Sequence, residues 1–241
     1  MADATDALIE LRSISKDYRS LRPLRIRDLR VAPGQSIALL GLDAMAAEIL
    51  VSVIIGATLP DAGDACVLGR PTAAIKTGEE WLKWLEQFGM VSSRTVLIEQ
   101  LTVEQNLALP LSFDIEELSP SLRAQVSTLA SELHIPEAEL SKPMLHASAP
   151  TQLRVRLGRA LALSPRILLL EHPNAMLSPD DTPAFAADLS RIIAARQLTS
   201  ILITSDKTFA SAVADQVLTL QPATGQLKAS PESWVARLLG R

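Results

Sequence analysis

The sequence has few of the residues that commonly mark a binding or catalytic site. Cys66 is the only cysteine among 241 residues, which excludes a disulfide framework and a thiolate metal site. The histidines are His134, His146 and His172, and their spacing is not that of metal ligands. We therefore predict no metal site.

Aromatic residues, positive charge and long apolar runs are also scarce. Aromatics make up 3% of the residues and the formal net charge is −4, so we expect no nucleic-acid partner. The longest apolar stretch, 44–59, contains Glu48 and is shorter than the roughly 20 residues of a membrane span. Residues 1–6 are acidic and contain no apolar region, so we expect no signal peptide. These absences favour a cytoplasmic chain that reaches the inner face of a membrane only through a partner.

Apolar periodicity predicts alternating strands and helices, and hence an α/β fold with a mostly parallel sheet. The segment 100–163 is rich in helix formers and lacks clear strands, with one helix starting at Ser119-Pro120. We predict an α/β core over 1–98 and 164–241, and an all-helical subdomain over 99–163. Strands are predicted at 7–14, 24–31, 36–40, 65–68, 166–171, 199–204 and 216–220, and helices at 45–57, 79–87, 151–163, 183–196 and 209–214.

The stretch 36–56 has the frame of a phosphate-binding loop. A buried strand ends at Gly41 and an apolar helix follows, as in the motif G-x-x-x-x-G-K-[ST]. In that frame Ala46 stands at the second glycine, Ala47 at the lysine and Glu48 at the hydroxyl residue. The frame indicates an ATP-using fold, whereas these residues argue against ATP use.

The substitutions change the charge of the loop. One lysine–phosphate contact is worth about 4 kcal/mol at an effective dielectric constant near 20, and Ala47 cannot make it. Glu48 adds a negative charge where a triphosphate already brings about four. We also consider a structural interpretation, in which Asp43 and Glu48 supply the anion or cap that a helix N-terminus favours.

Several phrases elsewhere are similar to those of one family. The chain resembles the ATP-binding subunit of ABC transporters over nearly its full length, with a P-loop NTPase-like core. The segment 101–111 resembles the family's L-T-V-x-E-N-V-A-L-P-L, most of all in members that move lipids or lipoproteins. The other matching phrases are 54–64 (the P-D-S-G-E turn), 154–162 (R-V-A-I-A-R-A-L-A), 164–173 (Walker B) and 214–220 (A-D-R-I-L-V-L).

The resemblance also assigns site positions, and most of them have lost the family's residue. Tyr18 is retained where an aromatic residue stacks on adenine, and Gly41 and Asp43 lie in the vestigial phosphate loop. The signature aligns with Ala147, Ser148, Ala149, Pro150 and Thr151, and keeps only the serine. The changed positions are Ser93 for the Q-loop glutamine, Glu171 for the Walker B aspartate, His172 for the catalytic glutamate, Ser178 for the D-loop aspartate and Ser205 for the switch histidine.

Several of these residues also have a purely structural interpretation. Tyr18 could be an exposed loop residue, His172 a hydrogen-bonded histidine at a strand end, and Glu171 a carboxylate bonded to loop N–H groups. Trp81 and Trp84 are expected to pack in a helix. We expect the arginines at 12–30 to form a solvated strand face, with contact to anionic lipid as the other interpretation.

The resemblance implies a cassette that has lost catalysis and has no cofactor of its own. It would act as a structural or regulatory subunit that pairs with a second nucleotide-binding domain, in a homodimer or heterodimer. It would dock on a membrane permease through a groove near 93–106, with a lipid or lipoprotein as cargo. Two alternatives stay open: an active ATPase that uses Mg-ATP with unusual residues, and a free scaffold unrelated to transport.

Overall fold

A computed structural model describes residues 7–229, so residues 1–6, which bear on the signal-peptide prediction, lie outside the described part. Two sheets and eight α-helices make up that part. The strands are β1 Ile9–Lys16, β2 Leu24–Val31, β3 Ser36–Leu40, β4 Ala62–Val67, β5 Arg70–Pro71, β6 Phe88–Val91, β7 Ile167–Glu171, β8 Thr199–Ile203, β9 Gln216–Gln221 and β10 Gln226–Ala229. The helices are α1 Ala44–Ile54, α2 Gly78–Leu85, α3 Val103–Ala108, α4 Pro120–Glu132, α5 Glu137–Leu140, α6 Ala149–Leu161, α7 Thr182–Arg196 and α8 Lys207–Val213.

The larger sheet has six strands in the order β10-β9-β3-β8-β7-β6. Its strands are parallel except β10, which pairs antiparallel with β9. Successive side chains of β3 and β7 point to opposite faces: Ala38 and Leu168 join one apolar cluster, while Ile37 and Ile167 join another. The predicted α/β fold with a mostly parallel sheet is confirmed.

The smaller sheet is antiparallel, in the order β2-β1-β4-β5. The pairing of β1 with β4 is irregular between Arg12 and Ser15, as in a β-bulge. The strand β4 begins at Ala62, three residues before the predicted start, so part of the predicted turn is strand. Gly63 permits this because its φ of +85° is in the left-handed region and the carbonyls of Arg12 and Ser13 lie against it.

Several predicted boundaries differ from the structure. The helix α1 ends at Ile54 rather than at 57, because Gly56 takes a left-handed φ of +70° and stops the helix. The sequence pattern did not indicate β5, β6 or β10, which are short strands at the edges of the sheets. In α2, Trp81 donates its indole N–H to the Ile55 carbonyl and Trp84 lies against Phe88, so the predicted packing of this pair is confirmed.

Between β6 and β7 the chain forms α3 to α6 and adds no strand to either sheet. Ser119 caps α4 ahead of Pro120, as predicted. The apolar residues of this segment, such as Leu107 and Val126, lie in the same cluster as Leu168 of β7. The division into a core and a subdomain over 99–163 therefore remains a prediction. Among residues 7–229, no helix has the length and apolarity to cross a bilayer.

Candidate functional site

A cavity of about 430 Å³ opens at the carboxyl ends of the parallel strands. This edge is where open α/β sheets commonly bind ligands. The cavity is formed by the first turns of α1, the segment after β6 and the segment after β7. Its lining residues are Ala44, Met45, Glu48, Ser93, Arg94, Glu171, His172 and Ala175.

The loop between β3 and α1 is held by two of its own residues. Gly41 has a φ of +85°, and a Cβ there would lie 2.9 Å from the Leu220 carbonyl oxygen. The Asp43 carboxylate accepts a hydrogen bond of 2.8 Å from the Ala46 backbone N–H and so caps α1. This cap is the one predicted for Asp43. Ala47 is fully buried in the second turn of α1 and presents only a methyl group to the core.

Arg94 is the central residue of the cavity. Its Nη2 donates to both carboxylate oxygens of Glu171, at 2.8 and 2.7 Å, and its Nη1 pairs with Glu48. Two predictions are therefore wrong. Glu48 pairs with this guanidinium rather than serving the helix N-terminus, and Glu171 bonds to the same guanidinium rather than to loop N–H groups.

Burial and charge act in opposite directions on Glu171. Glu171 is 9% exposed, and burial raises the pKa of its carboxyl group above the usual range. The Arg94 guanidinium opposes that rise in the pKa, while the nearby Glu48 charge adds to it. A charged Glu171 thus depends on Arg94, because the surrounding protein disfavours an unpaired carboxylate.

His172 follows Glu171 in a left-handed conformation, with φ 44° and ψ 47°. Its backbone N–H donates to the Ile203 carbonyl at 2.8 Å, which fixes the chain at the end of β7. The Nε2 atom of its ring is buried and has no hydrogen-bond partner. The prediction of a hydrogen-bonded histidine is therefore wrong at this atom.

The remaining predicted site residues lie outside this cavity, except Ser93, which lines it. Ser148 caps α6 by accepting from the Thr151 N–H, and Ala149 and Pro150 form the first turn. Tyr18 is half-buried against an apolar cluster, so it is not an exposed loop residue.

Two further serine positions have local or solvent-facing roles. Ser178 bonds to Asp181 ahead of α7, and Ser205 is exposed after β8. Within residues 7–229, no group of three or more His, Cys, Asp or Glu side chains could hold a metal ion.

The comparison with known families agrees with this fold. The sequence matches the ABC transporter family over residues 24–175. The chain belongs to this family. An ABC transporter ATP-binding cassette has the α/β, P-loop NTPase-type fold described above.

Curated relatives include two import proteins. A ferric-ion import ATP-binding protein of Serratia marcescens is 29% identical over 214 residues, which cover 88% of this chain and 60% of the relative. A sulfate/thiosulfate import ATP-binding protein of Caulobacter vibrioides is 30% identical over 218 residues, covering 88% of this chain and 61% of the relative. The chain thus spans about three fifths of the length of these relatives.

Solved structures of ABC cassettes show the same fold. A bacterial cassette solved as a dimer has a TM-score of 0.76 at 20% identity, covering 92% of this chain and 98% of that one. A cassette from Clostridium perfringens, described as part of an ABC transporter complex, has a TM-score of 0.79 at 19% identity, covering 97% and 92%.

Arg94 is the one charged residue lining this cavity that sequence patterns did not single out. It contacts Glu171 across 77 positions of the chain, and no local motif marks such a pair. The charges in the sequence could have indicated it, because Glu48 and Glu171 are both predicted at the same site and two nearby carboxylates are stabilised by a cation. Arg154 and Arg159 do not neutralise these carboxylates. Arg154 donates to Asp188 and Arg159 donates to the Val96 carbonyl, at 2.7 Å each.

Proposed function

We propose that this chain is a nucleotide-binding subunit of an ABC transporter that neither binds Mg-ATP in the family's way nor hydrolyses it. The observation that carries this proposal is the Arg94 guanidinium held between Glu48 and Glu171. By the family pattern, those two carboxylates stand at the positions of the residues that hold Mg²⁺. A cation supplied by the chain itself takes the place of the metal.

The charge of the cavity argues against a bound triphosphate. Two carboxylates face one guanidinium, which leaves excess negative charge beside the first turns of α1. The Ala46 N–H, a donor at the start of that helix, is already bonded to Asp43. Without a lysine at Ala47, the loss relative to an intact site is several kcal/mol, or roughly three powers of ten in affinity.

Hydrolysis would need a base and a positioned water as well as bound nucleotide. His172 is the only basic imidazole among the residues lining the cavity, and its Nε2 is buried. Ser93 and Ser205 offer hydroxyl groups where the family pattern has a glutamine and a histidine. We therefore assign His172 no catalytic role.

A second groove supports docking on a permease. A cleft of about 330 Å³ lies between the β6 region and the ends of α3 and α6, with Phe88, Leu109 and Arg159 among its lining residues. Two of its lining residues, Met90 and Leu163, are exposed large apolar side chains. One lining residue, Thr95, falls within the docking region predicted near 93–106. We propose a cytoplasmic subunit that pairs with a second cassette and reaches the membrane through this groove.

The proposed cargo is a lipid or lipoprotein, on the basis of the phrase at 101–111. The curated relatives described above are named for ferric ions and for sulfate or thiosulfate. To distinguish these two kinds of cargo, we would identify the permease that copurifies with the tagged chain. Transport assays with that permease would then test a lipid or lipoprotein against the inorganic ions. A chain that binds no permease would instead support the free scaffold.

Thermal unfolding with and without Mg-ATP tests the nucleotide site. A ligand present at about 100 times its Kd stabilises a protein by about 2.7 kcal/mol, which raises the Tm of a chain of this size by several degrees. We expect Mg-ATP at millimolar concentration to leave the Tm unchanged.

The matched control restores the family residues with Ala46→Gly, Ala47→Lys, Glu48→Ser and Ser93→Gln in one variant, which also carries Arg94→Ala to remove the bridging guanidinium. We expect a gain in Tm with Mg-ATP for this variant only. A clear Tm gain in the native chain, together with steady-state ATP turnover, would support the active ATPase instead.

A further inference from the structure

A basic hairpin forms one edge of the smaller sheet, where β2 pairs with β1. We define it as residues 17–31, which are the connection 17–23 and the strand β2. It contains five arginines and two aspartates, in a chain whose formal net charge is −4. The hairpin is therefore a local reversal of the overall charge.

The strand β2 separates apolar from basic side chains. Leu24, Ile26 and Leu29 are buried in the core, while Arg25 and Arg27 are exposed. This alternation is the ordinary signature of a half-buried strand. It places the two guanidinium groups on the same solvent-facing side.

Most of these arginines have no carboxylate partner among the described residues. Glu10 pairs with Arg12 and Arg30, as the solvated strand face predicts. No ion pair is present for Arg19, Arg22, Arg25 or Arg27 in the described part of the chain. These four cations lie within nine residues and give the hairpin a concentrated positive charge.

The root of the hairpin is fixed and its tip is exposed. Asp61 accepts from the Lys16 ammonium and from the Asp17 N–H, at 2.7 Å each, and Tyr18 packs against the core. Beyond this anchor, Leu21 is fully exposed between the basic positions. An apolar side chain is thus held at the tip of a cationic loop.

We infer that the basic hairpin binds the surface of an anionic lipid bilayer. Arginines attract anionic headgroups, and an exposed leucine between them can enter the headgroup region. Nucleic acid is the other polyanion of this charge, but Tyr18, the aromatic residue of the hairpin, is packed against the core and offers no face for base stacking. This inference does not depend on the nucleotide site or on a permease.

Vesicle cosedimentation of the purified full chain tests this surface. We expect binding to vesicles of equal parts phosphatidylglycerol and phosphatidylcholine at low ionic strength, and none to pure phosphatidylcholine. The variant with Arg22→Glu, Arg25→Glu and Arg27→Glu should bind at least a hundredfold more weakly, because each arginine near the surface is worth about fivefold. Leu21→Ser should weaken binding several-fold while leaving the charge unchanged.

The matched control places the same three charge reversals elsewhere, at the exposed residues Lys83, Arg123 and Arg166. Circular dichroism and thermal melting check that all variants fold. Equal loss of binding in this control would show a net-charge effect and overturn the inference. Failure of the native chain to bind the anionic vesicles, or tight binding to single-stranded DNA that Leu21→Ser does not alter, would also overturn it.

Discussion

At the scale of single residues, the cavity is organised by Arg94. Its guanidinium satisfies one carboxylate on α1 and another at the end of β7, so residues far apart in the chain depend on one side chain. Sequence patterns predicted the Asp43 cap correctly, because a cap and its helix are adjacent in the chain. They assigned wrong partners to Glu48 and Glu171, because those partners are set by the fold.

Replacing Arg94 with alanine leaves the buried Glu171 carboxylate without a counter-ion. We expect a loss of about 1–2 kcal/mol in the free energy of unfolding at pH 8, below the cost of breaking a fully buried pair because Arg94 is half-exposed. Urea denaturation measures this loss. Arg166→Ala, at an exposed arginine, is the control and should be nearly neutral.

The loss caused by Arg94→Ala should depend on pH. Burial already raises the pKa of Glu171, and removing Arg94 raises that pKa further. A carboxyl group whose pKa is raised on folding stabilises the protein at low pH, and this stability is lost as the pH rises through the folded pKa. The difference between the native chain and Arg94→Ala should therefore be smaller at pH 5 than at pH 8. An equal difference at both values would contradict the pairing.

At the scale of secondary-structure elements, helix caps and buried strands were predictable from the sequence, whereas edge strands and the start of β4 were not. The strands β3 and β8 and the capped start of α4 follow from local apolar runs and from Ser119-Pro120. The strand β6 is short and contains Gly89, so its pairing with β7 decides its conformation. The start of β4 is likewise decided by the neighbouring strand, through Gly63 and the bulge in β1.

Two glycines test that account of β4. Gly63 and Gly69 both have left-handed φ angles, but a Cβ would meet the Arg12 and Ser13 carbonyl oxygens within 2.4 Å at Gly63 and no atom within 4 Å at Gly69. We expect Gly69→Ala to cost about 1–2 kcal/mol from backbone strain alone. Gly63→Ala should cost clearly more in thermal or urea unfolding, since backbone atoms must move as well. Equal losses of stability in the two variants would show that the backbone at the bulge moves at little energetic cost.

At the scale of the whole molecule, a charge network joins the helical segment to α7. Asp188 of α7 is buried and accepts from Arg154 of α6 at 2.7 Å, and it also contacts the His134 ring at 2.5 Å just beyond α4. These contacts join helices that are distant in sequence. The fold class was predictable from the order of elements, whereas this network was not, because periodicity gives no pairing between helices.

Asp188→Asn should lower the free energy of unfolding, and the chain should still unfold in a single cooperative transition. Arg154 would lose its buried counter-ion, and we expect a loss of about 2–3 kcal/mol in the free energy of unfolding. Tryptophan fluorescence and circular dichroism should report the same midpoint in urea, because one apolar cluster spans the helical segment and the six-stranded sheet. Asp180→Asn, at an exposed position before α7, is the control. Separate midpoints for the two probes would instead indicate two independently folding parts.

The contacts of Arg94 with Glu48 and Glu171 also affect how this cassette could evolve. Restoring a lysine at position 47 alone would put a cation at a fully buried position, and removing Glu48 alone would leave the Arg94 guanidinium with one partner fewer. If the chain has the function proposed above, a nucleotide site of the family's kind would thus require several coordinated substitutions.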